Sequence, residues 1–165
     1  QKSLCVTFLG VSCEILETAM QIPEDAYNPS RQQYNSSNIL AKIHGYAEKI
    51  GEDRILGVTD VDLYAQRLNF VFGEAECPGS VAIISLFRLK QEFYGKPPDW
   101  NLFLERSAKE AVHEVGHTLG LVHCSNLACI MFFSNSIFDT DRKKVAFCER
   151  CYPLVLKSLE ILPRS

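Results

Sequence analysis

The densest chemistry in the chain lies between His113 and Met131, which reads His-Glu-Val-Gly-His-Thr-Leu-Gly-Leu-Val-His-Cys-Ser-Asn-Leu-Ala-Cys-Ile-Met. Three of the four histidines fall in it, at positions 113, 117 and 123, with Glu114 directly beside the first. Residues four apart on a helix lie on one face, so His113 and His117 can offer two imidazoles to a single ion. Gly120 can take a left-handed conformation at no steric cost, ending the helix and turning the chain so that His123 returns to the same ion. Three protein ligands leave a tetrahedral zinc one position for water, which distinguishes a catalytic from a closed structural site. A solitary helical histidine is usually a half-buried polar side chain; Gly120 and His123 at fixed offsets favour the metal.

Zinc lowers the pKa of bound water from ~15.7 to about 7 and polarises a carbonyl. Glu114, on the same side of the helix, is placed to take the water's proton and deliver it to a leaving amine. The expected reaction is peptide-bond hydrolysis by metal-activated water, with no Ser or Cys nucleophile. The motif leaves open a second reading, a zinc-stapled module that binds peptide or protein without cleaving it.

Cys124 and Cys129 follow at once, and Cys148 and Cys151 lie beyond an eighteen-residue gap. Four thiolates can close a tetrahedral site with no water position, so this cluster predicts a structural zinc that ties the loop after the active-site helix to a C-terminal helix. Two zinc ions per chain are expected. A thioredoxin-like redox pair at Cys148 and Cys151 lacks βαβ context. A zinc-ribbon-like nucleic-acid module would rest only on Arg142, Lys143, Lys144 and Arg150, which among Asp139, Asp141 and Glu149 read better as a solvated helix face.

Composition bounds the rest. A chain of 165 residues, 47% apolar, suits one domain with a real core. A net charge of -3, with acids and bases mixed along the chain, argues against a nucleic-acid partner or an anionic membrane surface. No apolar run approaches the ~20 residues of a membrane helix, and the short run near residue 4 reads as a strand rather than a signal peptide. Seven cysteines, odd in number and clustered late, fit a metal clip in a reducing cell better than a disulfide framework. These features point to a cytoplasmic protein, and a monomer is expected. Cys5, Cys13 and Cys77 read as buried structural thiols.

The elements that must position this chemistry follow from periodicity and punctuation. A first strand is expected over residues 2–11 and a short helix over 13–20, before an irregular stretch from 23 to 35. Ser36, Ser37 and Asn38 supply cap chemistry for a helix with Ile39, Leu40, Ile43, Ala47 and Ile50 on one face and a stop at Gly51; His44, alone on it, reads as solvent-facing or hydrogen-bonded. Strands are expected over 54–59, 68–72 and 81–86, the last two separated by a turn over 73–80. Asp60 and Asp62 read as turn formers before they read as ligands. Strands that alternate with helices and then run together indicate an α/β (α+β) fold with a mixed sheet and one antiparallel edge strand. Beside a metal cleft, such an edge can pair with an extended peptide.

After a loop over 91–98, Asp99 or Asn101 can cap the active-site helix, with Leu104, Ala108, Val112, Val115 and Leu119 as its apolar face. A last helix is expected from about Asp141, broken near Tyr152 by Pro153.

With both clusters in hand, the chain resembles the archaemetzincins, zinc metalloproteases of the metzincin clan. The resemblance rests on His113-Glu114-x-x-His117-x-x-Gly120-x-x-His123, on Cys124-x4-Cys129-x-Met131 immediately after it, and on Cys148-x-x-Cys151. It implies a metzincin-like catalytic domain with a small zinc-clipped C-terminal helical subdomain. His113, His117 and His123 would be the catalytic zinc ligands, Glu114 the general base and acid, the four cysteines the structural zinc ligands and Met131 the Met-turn residue beneath the metal. One metalloprotease domain is expected, with residues 1–123 as the N-terminal subdomain and 124–165 as the C-terminal one.

Overall fold

Among the described residues from Glu24 onward, short strands are interspersed with α-helices: β1 (Tyr27–Asn28), β2 (Gln33–Asn35), α1 (Ser36–Ile50), β3 (Ile55–Thr59), β4 (Leu63–Tyr64), β5 (Gly73–Ala75), β6 (Val81–Ser85), α2 (Trp100–Thr118), α3 (Ile137–Arg142) and α4 (Tyr152–Ile161). This is a computed structural model, and it describes residues 4, 7, 8 and 11–161.

Every residue of β6 is buried, so both faces of its sheet must be covered. The order is β3-β6-β5, with β3 parallel and β5 antiparallel to β6. Val81 and Ile83 pack with Ile39, Leu40, Ile43 and Ala47 of α1. Gly73, opposite Ile84, faces Glu114 of α2 on the other side. The sheet therefore lies between α1 and α2, with β5 as the expected antiparallel edge. A second small sheet, β1-β2-β4, is joined to the chain leading into β5 by Val71 N donating to Leu63 O. A further core joins Val112 and Leu119 to Cys129, Ile130, Met131 and Val155, so the active-site helix and the cysteine region share one interior.

Local signals explain the helix ends. Asn35 caps α1 by accepting from Asn38 N at 3.1 Å, one residue earlier than expected, which frees Ser36 and Ser37 to donate to the Glu74 carboxylate. Gly51, at φ 72°, stops it. Asp99 caps α2, accepting from Leu102 N at 3.0 Å.

Several expectations are corrected. Most of the strand expected over 2–11 lies outside the described residues; Leu4 and Thr7 are helical, and Phe8 N donates to Leu4 O at 2.9 Å. A short apolar run does not separate a buried strand from a buried helical turn. Residues 13–20 form no helix, and Ile15 is 75% exposed: a single turn without a face to bury does not hold. The strand expected over 68–72 forms instead at Gly73–Ala75, inside the expected turn, because Phe70 and Phe72 pack with Leu89 and Ile137 rather than alternating across a sheet. The loop over 91–98 contains a 3-10 turn, Gln91–Tyr94.

The last helix does not begin near Asp141. Residues 143–151 are irregular, and backbone bonds from Lys144 N to Ala128 O and Ile130 N to Ala146 O hold them against the segment before Met131. Pro153 falls in the first turn of α4, where its missing N–H costs nothing.

The apolar face of α2 is corrected at its start: Val112, Val115 and Leu119 pack in the core as expected, but Leu104 is 48% exposed, and Arg106, Lys109 and Glu110 are buried. Arg106 holds Asp141 through two bonds of 2.6 and 2.7 Å, Lys109 Nζ donates to Asp141 O at 3.0 Å, and Glu110 Oε1 accepts from Thr140 and Lys143 at 2.9 and 3.0 Å. This polar seam fixes α3 and the residues after it against α2. Lys143 is thus buried rather than part of a solvated face, while Arg142 and Lys144 are exposed.

Candidate active site

The three histidines converge. Gly120, at φ 86°, ends α2, and its N donates to His117 O at 2.8 Å while Leu121 N donates to Gly116 O at 3.2 Å. The reversed chain brings His123 Nε2 to 3.2 Å from His117 Nε2, which is itself 3.1 Å from His113 Nε2. On the far side of each helical ring, His113 Nδ1 meets Ile130 O and His117 Nδ1 meets Leu121 O, both at 2.7 Å.

These contacts settle the tautomers. A carbonyl only accepts, so both Nδ1 atoms carry the proton and both Nε2 atoms present lone pairs. Two lone pairs 3.1 Å apart cannot share a hydrogen bond; they repel unless positive charge stands between them and His123. Zinc with nitrogen ligands at ≈ 2.0–2.1 Å in tetrahedral array places those nitrogens about 3.3 Å apart, so the donor set fits that ion. Burial pushes all three imidazoles below their usual range, most strongly His113, with Lys143 adding to the fall; His123 reaches about 4. The three rings are therefore neutral, the form that can bind a metal.

Glu114 lies in the same cleft, a cavity of about 350 Å³ lined by the three histidines, Glu110 and the edge strand β5. Its approach to β5 is close: a Cβ on Gly73 would stand 2.6 Å from Glu114 Cγ. Burial, reinforced by Glu110, pushes the Glu114 carboxyl well above the usual carboxylate range. Beneath the helix, Met131 is fully buried, and a Cβ on Gly116 would stand 2.6 Å from its Sδ.

The four cysteines form a second cluster whose sulfurs all lie within 4.8 Å of one another. Cys124 and Cys148 are 3.8 Å apart at sulfur, too far for a disulfide. Tetrahedral zinc with Zn–S ≈ 2.3 Å puts sulfurs about 3.8 Å apart. Backbone N–H groups of Asn126 and Cys148 reach the sulfurs of Cys124 and Cys129, both at 3.4 Å. Burial opposes ionisation of Cys148, but hydrogen bonds from the backbone N–H groups of Cys151 and Arg150 and from the thiols of Cys129 and Cys124 together draw it down to about 6.

Other sequence candidates resolve as structure. Asp62 is bound by Arg88 at 2.6 and 2.8 Å, Asp60 pairs with Lys90 at 2.7 Å, and His44 meets Glu76 at 2.7 Å. Cys77 is not buried but exposed at the cleft, its thiol 3.4 Å from Leu121 O, and Cys5 lies outside the described residues. Sequence reasoning missed Gly73, Gly116 and the Glu110–Lys143 pair. Only Gly116 carries a local signal, since glycine inside a helix costs about 1 kcal/mol and so implies a close approach.

Comparison with known proteins agrees. The model of Peptidase family M54 matches residues 12–157. An archaemetzincin of Methanocaldococcus jannaschii is 53% identical over 139 residues, covering 84% of this chain and 74% of the relative. One from Methanopyrus kandleri is 45% identical over 153 residues, covering 93% and 82%. Among solved structures, the Methanopyrus kandleri archaemetzincin matches with a TM-score of 0.77 at 46% identity, over 85% of this chain and 73% of that one. A zinc-dependent peptidase from Methanocorpusculum labreanum matches with a TM-score of 0.86 at 31% identity, over 93% and 90%. With the family model spanning both the histidine and the cysteine clusters, the chain belongs to Peptidase family M54.

Proposed function

We propose that in this zinc metallopeptidase His113, His117 and His123 hold the catalytic ion, Glu114 moves the protons, and Cys124, Cys129, Cys148 and Cys151 hold a second, structural zinc. The observation that carries the reading is the facing of two imidazole lone pairs at 3.1 Å, each ring locked from behind by a main-chain carbonyl. When bound, zinc supplies Lewis acidity that polarises the scissile carbonyl and acidifies water. Glu114 takes one proton from the water that adds to the carbonyl carbon, and gives it to the amine nitrogen as the C–N bond breaks. Its raised proton affinity suits the first step, and its lack of a hydrogen-bond donor among the described residues leaves the carboxylate free for it. Met131 serves as the floor of the metal site, packed on the helix at Gly116. The outer side of β5 offers main-chain groups to an extended peptide, which recognises backbone rather than sequence.

On the same reading the chain works as one domain, residues 1–123 carrying the active-site helix and 124–165 the cysteine site, as a cytoplasmic monomer acting on peptides or proteins and not on nucleic acid. Unbridged sulfurs at the four clustered cysteines and Cys77 suit a reducing compartment. No described helix is long and apolar enough to cross a membrane.

Zinc-loaded protein and Glu114→Gln, each incubated with a mixed peptide library with and without chelator, test the assignment. Cleavage is expected only from the unaltered, unchelated protein, with Glu114→Gln slowed about 10²–10⁴-fold while metal analysis still finds two zinc ions per chain. Undiminished hydrolysis by Glu114→Gln would remove Glu114 from the mechanism.

A further inference from the structure

A second cavity, about 170 Å³, adjoins the catalytic cleft and shares Leu68, Phe70, Phe133 and Ser134 with it. Phe133 is the partition: its ring centroid is 4.8 Å from that of His123. Beyond it, Arg67, Asn69 and Asn135 complete the lining, and no carboxylate is among them.

Three observations make this cavity a built acceptor of negative charge. Ser134 Oγ is buried with no hydrogen-bond partner, the one side-chain polar atom in that state among the described residues. Buried hydroxyls in folded proteins are paired, so the orphan on Ser134, a residue of the cavity wall, is a donor left for an acceptor from outside. The guanidinium of Arg67 is exposed, and no described residue engages it or the side-chain amides of Asn69 and Asn135. The loop that presents Arg67 is also held in place. Arg31 Nη2 donates to Leu68 O and Asn69 O at 3.0 and 2.8 Å, Gln33 Nε2 donates to Asn69 O at 3.0 Å, and Arg67 itself sits at φ 68°, a left-handed conformation that a non-glycine residue keeps only when its surroundings impose it.

Aromatic walls with a hydroxyl donor between the two cavities and amide and guanidinium donors beyond it match a carboxylate on a short methylene stem. We propose that this cavity is a substrate subsite for a carboxylate next to the scissile bond, supplied by a Glu or Asp side chain or by the free C-terminus of a short peptide. Phe70 and Phe133 flank the stem, and Arg67 and Ser134 receive the oxygens. The proposal deepens the peptidase reading and rests on it for the identity of the ligand as peptide.

Binding to zinc-loaded Glu114→Gln, which holds peptide without cutting it, separates the two claims. Fluorescence anisotropy would compare matched labelled pairs: Glu against Gln inside a C-terminally amidated peptide, and free acid against amide at the end of an alanine-based one. The carboxylate member of at least one pair should bind about threefold to fivefold tighter at low salt, the range for a solvent-accessible ion pair, and the gap should shrink with added salt. Whichever pair separates identifies the source of the carboxylate. Adding Arg67→Glu should reverse the preference in favour of a Lys peptide. Equal binding within both pairs, no binding of any member at millimolar peptide, or a preference that survives Arg67→Glu would overturn the subsite. Cleavage by the unaltered enzyme without carboxylate preference sinks the subsite alone, whereas preference without cleavage sinks the peptidase reading and keeps the subsite.

Discussion

The protonation of three side chains governs the metal site at the residue scale. In the metal-free protein the imidazoles of His113, His117 and His123 have pKa values below the ordinary ~6.5. Between those values and 6.5 the unfolded chain binds more protons than the folded one, so stability is present above about 6.5 and is lost as pH falls through the folded values. In denaturant melts of metal-free Glu114→Gln, which removes the opposing titration of the raised Glu114 carboxyl, stability should therefore weaken from pH 6.5 towards pH 4, where His123 titrates. A His123→Gln variant should lose part of that slope; an identical pH profile would show that this ring contributes none of it.

Gly116 offers a second test at this scale. An alanine there gains about 1 kcal/mol of helix propensity, but its Cβ would meet Met131 Sδ at 2.6 Å. Overpacking of this kind costs typically 1–3 kcal/mol, so Gly116→Ala should lower the thermal midpoint by a few degrees rather than raise it. The ligands themselves were legible in the sequence because helical period and a turn glycine map directly onto direction. Ile130 O and Leu121 O were not, since every residue has a carbonyl and only the folded path decides where it points.

Element by element, the sequence was most reliable where a segment carries its own ends. Asn35 to Gly51 and Asp99 to Gly120 each hold a cap, a periodic body and a stop, and both helices form there. It failed where tertiary pairing overrides local pattern, as at Gly73–Ala75, whose strand exists because β6 is beside it. It failed again on the first half of α2, where buried Arg106 and Glu110 are held by complementary charges more than thirty residues away. Lys143→Met should leave the buried Glu110 carboxylate without its cation and cost about 3–5 kcal/mol in denaturant melts. The double variant with Glu110→Leu should recover much of that loss. If Lys143→Met alone melts like the parent, the seam is ornamental and α3 is held by apolar contacts.

For the whole molecule, the two proposed ion sites meet at the bond between His123 and Cys124, so on that reading consecutive side chains serve different metals. Cys124 N donates to Met131 O at 2.8 Å, which ties the floor of one site to the wall of the other. His117 rides on α2 with its ring held by Leu121 O, whereas His113 rides there too but is held by Ile130 O, beside Cys129. A Cys148→Ser, Cys151→Ser variant should therefore lose affinity for the catalytic zinc, read by competition with a metal indicator; unchanged affinity would refute the coupling. Each ion should also raise the thermal midpoint in proportion to the logarithm of its free concentration.

The carbonyls behind His113 and His117 have a consequence for how this protein tolerates change. Ring orientation in many metal proteins depends on a neighbouring carboxylate that one codon can erase. Here both acceptors are main-chain oxygens, Ile130 O and Leu121 O, which survive any replacement of the side chain that shares their residue. In a saturation scan scored for zinc retention, the proposed ligands should form isolated peaks of intolerance, with Gly116, which has no room for a side chain against Met131, and Gly120, which turns the backbone, as sharp satellites. Substitutions at Leu121 should be read as packing defects graded by size, without the all-or-none loss that marks a ligand's polar partner.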